Sequence, residues 1–206
     1  MRPWLACLTA LAAAGCAPDH APGFRPGPGW VRLFNGTDMA GWKLVGRYPS
    51  TWRIQDGVLG SPSESDNLYT ERQFLDFELH LEFKLPREGN SGAFLRGRKE
   101  VQLSDCFGRK TLEDTDCGGI FGKVAPRVNA CRPPGQWNTL DVTMAGAKIT
   151  VVLNGATTVD GAEVRGATGG QLDEREGEPG ALMLQADHSA VWFRNIWIRP
   201  LPRGGS

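Results

Sequence analysis

Phe77-Glu78-Leu79-His80-Leu81-Glu82-Phe83-Lys84-Leu85 alternates apolar and polar residues without a break. Successive side chains of a strand point to opposite faces, so Phe77, Leu79, Leu81, Phe83 and Leu85 share one side; a helix would scatter them. The stretch reads as a half-buried β-strand. Downstream, Gly89-Asn90-Ser91-Gly92 reads as a turn, and Ala93–Arg96 and Glu100–Ser104 follow as a second alternating segment, with Val101 and Leu103 opposite Glu100, Gln102 and Ser104. Leu140, Val142 and Met144 alternate, Ala145-Gly146 turns the chain, and Ile149, Val151 and Leu153 alternate again. Asn154-Gly155 is then a strong two-residue hairpin signal. Ala181–Gln185 and Val191–Arg199 are apolar on both sides, as for strands buried within a sandwich. Short strands, frequent turns and no helical period predict an all-β fold, a two-sheet antiparallel jelly-roll sandwich.

With 206 residues and 40% apolar content, the chain suits one compact domain with a real core. Its 23 basic and 23 acidic residues cancel, so there is no electrostatic footprint for nucleic acid. The N-terminus reads differently. Arg2 precedes an apolar stretch, Trp4 to Ala14, too short to span a bilayer, and small residues lead to Gly15-Cys16, the layout of a secretory signal. Ala13-Ala14-Gly15-Cys16 resembles a bacterial lipobox, with Ala13 where Leu is usual; an ordinary cleaved signal and a retained anchor are the other readings. The expected organisation is a signal peptide over residues 1–15, lipidation at Cys16, a Pro/Gly-rich tether over 16–29, the sandwich over 30–202 and a tail over 203–206. The membrane is then met only through a lipid anchor, in the periplasm or at the outer membrane.

Cys7 leaves with such a signal and Cys16 takes lipid, which leaves Cys106, Cys117 and Cys131 in an oxidising compartment. A Cys117/Cys131 staple across the charged, Gly-rich excursion from Phe107 to Pro134 is expected, with Cys106 left over; the spacing does not decide the partner. A long loop inside a compact domain is functional or disordered, and a staple favours order. Gly161–Gly180 reads as a second, polar surface loop. There is no Cys-x-x-Cys, and His20, His80 and His188 form no ligand pair, so no zinc site is expected. No dinucleotide or P-loop motif occurs.

The punctuation between these strands follows a pattern. Leu33-Phe34-Asn35-Gly36-Thr37-Asp38 through Gly41-Trp42, Trp52 to Leu59, Leu68-Tyr69-Thr70, and Phe74 to Leu79 come first. Asn90-Ser91-Gly92 with Arg96, Glu100-Val101-Gln102 with Asp105, Gly135 to Thr139, Leu153-Asn154-Gly155, and Leu184-Gln185 before Phe193 to Ile196 complete the order. From about Val31 to Leu201 the chain resembles the 3-keto-disaccharide hydrolase domain family of the concanavalin A-like lectin/glucanase superfamily. The resemblance implies a jelly roll acting on glycosides whose C3 hydroxyl has been oxidised to a ketone. It also implies cleavage by elimination and hydration. A ketone at C3 acidifies the C2 proton, so the site needs a base, an enolate stabiliser and a proton donor to the leaving oxygen.

In that light Glu100 or Asp105 is the expected base, and Arg96 or Lys123 the enolate stabiliser. Asn90, Gln102, Gln185, Asp187 and His188 are expected to bind substrate. Trp137-Asn138 is either a stacking Trp beside a polar contact or a core Trp opening a strand. The bland reading of Glu100, Gln102 and Ser104 is the solvated face of an ordinary strand. Retaining glucanases of that superfamily carry acids at alternate positions of such a strand. Gln102 takes the middle place, and an amide cannot act as nucleophile or base, which argues against two-carboxylate displacement at this strand unless a distant acid substitutes. Gly89 to Ala93 is not a Gly-x-Ser-x-Gly elbow. His80 reads as a surface histidine and Arg194 as half of an internal ion pair. No cofactor is evident, though carboxylates such as Asp105 leave room for a divalent cation. A small glycoside or oligosaccharide is the expected partner; the rival functions are a non-catalytic carbohydrate-binding module and an envelope scaffold.

Overall fold

In the computed structural model, which describes residues 24–202, no described residue is helical and the strands form two antiparallel sheets. The larger sheet runs β11 (Ala156–Glu163), β10 (Lys148–Leu153), β9 (Asn138–Ala145), β6 (Phe77–Lys84), β13 (Val191–Pro200), β4 (Val58–Ser61) and β3 (Arg53–Gln55). β1 (Val31–Arg32) pairs the second half of β13. The smaller sheet runs β2 (Trp42–Val45), β5 (Asn67–Phe74), β12 (Gly180–Leu184), β7 (Asn90–Leu95) and β8 (Lys99–Ser104). Consecutive strands such as β8 and β9 lie in different sheets, which makes the fold a sandwich of the jelly-roll kind.

The alternating segments supply the core. Phe77, Leu79, Leu81 and Phe83 from β6 join Leu140, Val142 and Met144 from β9, and pack in one cluster with Ala93, Leu95, Val101, Leu103, Leu182 and Leu184 of the smaller sheet. Each of these side chains other than Ala93 contributes about 1.5–3 kcal/mol by leaving water. Asn154 and Gly155 both take positive φ, 51° and 84°, which gives the β10–β11 turn the twist a two-residue hairpin needs.

Several expectations are corrected. Asn90, Ser91 and Gly92 lie in strand β7, and the turn before them falls at Arg87-Glu88, because Asn90 to Leu95 pair residue by residue with Ser104 to Lys99. β13 is not apolar on both faces: it alternates, and a bulge at Asn195 (φ 51°) shifts the phase so that Phe193 and Ile196 both point inward. The outer face of β6 is not solvated. Glu82 is 2% exposed and accepts hydrogen bonds from Arg194 Nε (2.6 Å) and Asn195 Nδ2 (2.7 Å), so Arg194 is the internal ion-pair partner its sequence suggested. His80 is buried, bonded through Nδ1 to Asp141 (2.6 Å) and covered by the Phe24 ring stacked at 3.9 Å. Phe24 belongs to the stretch expected as tether, so the end of that stretch packs on the domain. The signal segment, Cys16 and the tail lie outside the described residues.

The long excursion over residues 105–137 carries no strand, yet it is tied down. Gly118 N–H donates to Gln102 O (2.8 Å), Gln102 N–H to Gly119 O (3.0 Å) and Phe121 N–H to Glu100 O (3.1 Å), so the loop satisfies the free edge of β8. The thiols of Cys106, Cys117 and Cys131 are all free, so the expected Cys117–Cys131 bridge is absent. Cys131 instead faces Cys106, Sγ to Sγ 3.0 Å. Asn129 draws that pair together, donating to Cys106 O (2.7 Å) and accepting from Cys131 N–H (3.1 Å).

Candidate active site

Val101 and Leu103 take the inner face of β8, which sends Glu100 and Gln102 outward. β7 alongside puts Asn90, Gly92 and Phe94 on the same side, opposite Ser104, Gln102 and Glu100. The chain leaving β12 is fixed to β7 by Gln185 N–H donating to Gly92 O (2.9 Å), and this brings Asp187 and His188 to the same surface. With Phe121 and Gly169-Gly170 as walls, these residues line a hollow of about 260 Å³.

Two loops bury what would otherwise be a solvated strand face. Glu100 is 5% exposed and Gln102 3%. Besides the excursion along β8, residues 164–179 fold over the β7–β8 hairpin. Thr168 accepts at Oγ1 from Glu100 N–H (2.9 Å), and Leu172 N–H donates to Gly97 O (2.8 Å). Beneath this cover Arg98 donates to Asp173 Oδ1 (2.5 Å) and Glu178 O (2.9 Å), and Lys99 to Glu176 (2.8 Å) and Gly166 O (2.9 Å). The guanidinium of Arg98 holds the Asp173 carboxyl far below its usual range. Both cations are 2% exposed, so each is a buried charge matched by a loop carboxylate.

Burial pushes the Glu100 carboxyl up to about 8, helped by the charge of Asp187. At neutral pH the Glu100 carboxyl is therefore mostly protonated and able to donate. Asp187 Oδ1 meets His188 Nδ1 at 2.7 Å, which orients the imidazole, and Asn67 donates to its other oxygen at 3.4 Å. Gln102 Nε2 donates to Asn90 Oδ1 (2.6 Å), while Gln102 Oε1 is buried with no partner among the described residues. A neutral acid, an oriented histidine and side-chain amides around one hollow can move a proton on and off a polar ligand.

The expected residues divide. Asn90, Glu100, Gln102, Gln185, Asp187 and His188 come together. Asp105 lines an adjoining hollow of about 290 Å³ that shares Asn90, Gln102 and Phe121, but its carboxylate accepts from Glu88 N–H (2.9 Å) and caps the backbone. Arg96 is elsewhere: it sits in the β7–β8 turn at φ 53° and donates to Leu75 O (2.6 Å), Asp76 (3.0 Å) and Gly146 O (3.0 Å). Lys123 is exposed beyond Phe121 and does not line the hollow. Asn138 opens β9 in the other sheet and Trp137 immediately precedes it. The Trp137 ring lies under Arg194 (4.1 Å), and Asn138 bonds Asn154 (2.7 Å) and Arg132 N–H (3.0 Å). A larger hollow of about 340 Å³ beside Trp192 is lined by exposed Arg53, Gln55 and Asp56 and holds no such grouping. Among the described residues no cluster of three or more His, Cys, Asp or Glu is arranged to hold a metal ion.

Sequence reasoning passed over Gly92, Phe121, Arg98 and Lys99. One signal was available for the last two: adjacent cations in a short hairpin, with an acidic stretch at Asp173, Glu174, Glu176 and Glu178 to meet them.

Known proteins resemble this chain. A Bacteroides thetaiotaomicron 3-keto-disaccharide hydrolase is 34% identical over 96 residues, which takes in 41% of this chain and 33% of that protein; the match thus spans a third of the relative's length. A Parabacteroides distasonis protein of known crystal structure, provisionally described as a glycosyl hydrolase, is 30% identical with a TM-score of 0.70 over 84% of both chains. The Bacillus licheniformis β-glucanase, at 9% identity and a TM-score of 0.55 over 84% of this chain and 97% of that one, shares the fold alone. Residues 29–199 match the 3-keto-alpha-glucoside-1,2-lyase-like domain, and the chain belongs to that family.

Proposed function

We propose that this chain is an exported enzyme that cleaves 3-keto-glycosides by elimination and hydration, with net hydrolysis. His188, oriented by Asp187, takes the C2 proton that the neighbouring ketone has acidified. Amide groups of Asn90, Gln102 and Gln185 stabilise the enolate. Glu100, neutral at pH 7, gives its proton to the glycosidic oxygen as the C1–O bond breaks. In the second half water adds at C1 of the enol ether: the Glu100 carboxylate takes the proton from that water, and the His188 imidazolium returns one to C2. Atoms and protons then balance. No step calls for a nucleophilic carboxylate, consistent with an amide at position 102.

One observation carries this proposal: a carboxyl group held protonated by burial opens onto the hollow that an Asp–His pair also lines. The family and its hydrolase relative support the substrate class. The test is incubation with a 3-keto-glucoside in D2O. Aglycone release with deuterium at C2 of the product is expected, and Glu100→Gln should lower the rate at least 100-fold. Release without deuterium would mean direct displacement; sugar binding without release would make the domain a carbohydrate-binding module.

We also assign the chain to the cell envelope as a periplasmic or outer-membrane lipoprotein, on Ala13-Ala14-Gly15-Cys16. Incorporation of a labelled fatty acid that Cys16→Ala abolishes tests it; incorporation that survives the substitution refutes it.

A further inference from the structure

Cys106 leaves β8 directly behind Ser104 and Asp105, Cys117 lies midway along the excursion, and Cys131 returns just before β9. Three thiols from separate parts of one strandless loop converge, with Cys131 in contact with both Cys106 and Cys117. The 3.0 Å between Cys106 and Cys131 sulfurs is closer than two unbonded thiols keep, and a disulfide needs only a further approach to about 2.05 Å. Asn129 bonds to both residues and fixes their backbones. We propose that Cys106 and Cys131 are a disulfide-forming pair that closes residues 106–131 into a covalent loop beside the candidate active site.

The pair differs in access. Cys106 is 1% exposed, while Cys131 is partly exposed. Both thiols are pushed up, Cys106 by its contact with Cys131 and by burial, and Cys131, against the lowering contact with Cys106, by Cys117 and burial. Access and not acidity therefore separates them, and the enclosed Cys106 does not initiate. Cys131 does: its thiolate attacks one sulfur of an incoming disulfide, protein-borne or small-molecule, and expels one thiol. The Cys106 sulfur then attacks the Cys131 sulfur of that mixed disulfide and expels the second. Two cysteine thiols are oxidised and one external disulfide is reduced, with both protons carried off on the departing thiols. Cys117, also buried, is left as the unpaired thiol.

The enclosed loop carries the segment Gly118 to Phe121, which bonds the backbone of Glu100 and Gln102, and Phe121 walls both hollows. Closing it restricts the unfolded chain and holds that wall in place.

The experiment treats the folded chain with oxidised glutathione and maps cross-linked peptides by mass spectrometry. Expected are one Cys106–Cys131 linkage, one thiol titratable after unfolding besides any outside the sandwich, and a melting temperature roughly 10 °C above that of the reduced chain. Cys117→Ser should leave the linkage and the shift unchanged, and Cys131→Ser should abolish both. A Cys117–Cys131 linkage, or three thiols still titratable after prolonged oxidation, would overturn the proposal. None of these readouts depends on glycoside cleavage.

Discussion

The Glu100 side chain lies across Gly92 of the neighbouring strand so closely that a β-carbon at position 92 would collide with its carboxylate. Gly92 is extended, so its need for glycine is one of space and not of backbone conformation. The bare backbone there is what lets a carboxyl group lie flat and buried on the sheet.

Gly92→Ala should therefore displace Glu100 from its bed. Overpacking of this kind costs about 1–3 kcal/mol. The larger effect is expected on catalysis, at least a tenfold fall in kcat with the fold retained, because a misaligned proton donor loses most of its advantage. Circular dichroism and steady-state kinetics on the purified variant check both.

Glu100 also makes stability depend on pH. Its folded value, about 8, lies above the unfolded 4.5, so between these the folded chain keeps a proton the unfolded chain has released. The stability this group confers is complete below pH 4.5 and is lost as pH rises through about 8. Relative to Glu100→Gln, the native chain should lose on the order of 4 kcal/mol across that window. Parallel denaturant titrations from pH 4.5 to 8.5 measure the difference.

Asp187 raises Glu100 by its charge and orients His188 by its hydrogen bond. Asp187→Asn should act on both. The rate should fall roughly 10- to 100-fold, as for other disturbed acid–base groups. At the same time the alkaline limb of the pH–rate profile, set by the Glu100 proton, should move to lower pH. A fall in rate with an unmoved limb would separate the two roles and leave only the histidine contact.

The loop over the β7–β8 hairpin keeps water from Glu100, and Arg98 and Lys99 keep the loop in place. Glu176→Gln leaves the Lys99 ammonium buried without its carboxylate, a loss of about 1–3 kcal/mol. Protease cleavage within residues 164–179 should accelerate, and the alkaline limb should again fall toward ordinary carboxylate values as water reaches Glu100. Limited proteolysis and the pH–rate profile read the two effects.

Period-two alternation made β6, β8, β9 and β10 legible, and Asn154-Gly155 located its hairpin to the residue. The N-terminal strands β1 to β5 were recognisable only as motifs, since most are short and packed at edges where alternation has no length to develop. Asn90 to Gly92 carry turn-forming residues yet sit in a strand, because pairing with β8 outweighs local preference. Arg96, Trp137 and Asn138 lie in the family's pattern, but they serve the fold, through carbonyl bonds, a cation–π contact and an amide network.

By itself the sequence determined the two apolar faces, the fold class that must bury them, and the polar row from Glu100 to Ser104 on one side of a strand. All of these follow from neighbours along the chain. Only the tertiary structure decided that this row is dry, that Asp187 and His188 reach it from the segment after β12, and that Cys106 is the thiol facing Cys131. Burial and proximity come from segments up to about a hundred residues away in sequence, and it is burial that turns Glu100 from a surface charge into a carboxyl that holds its proton.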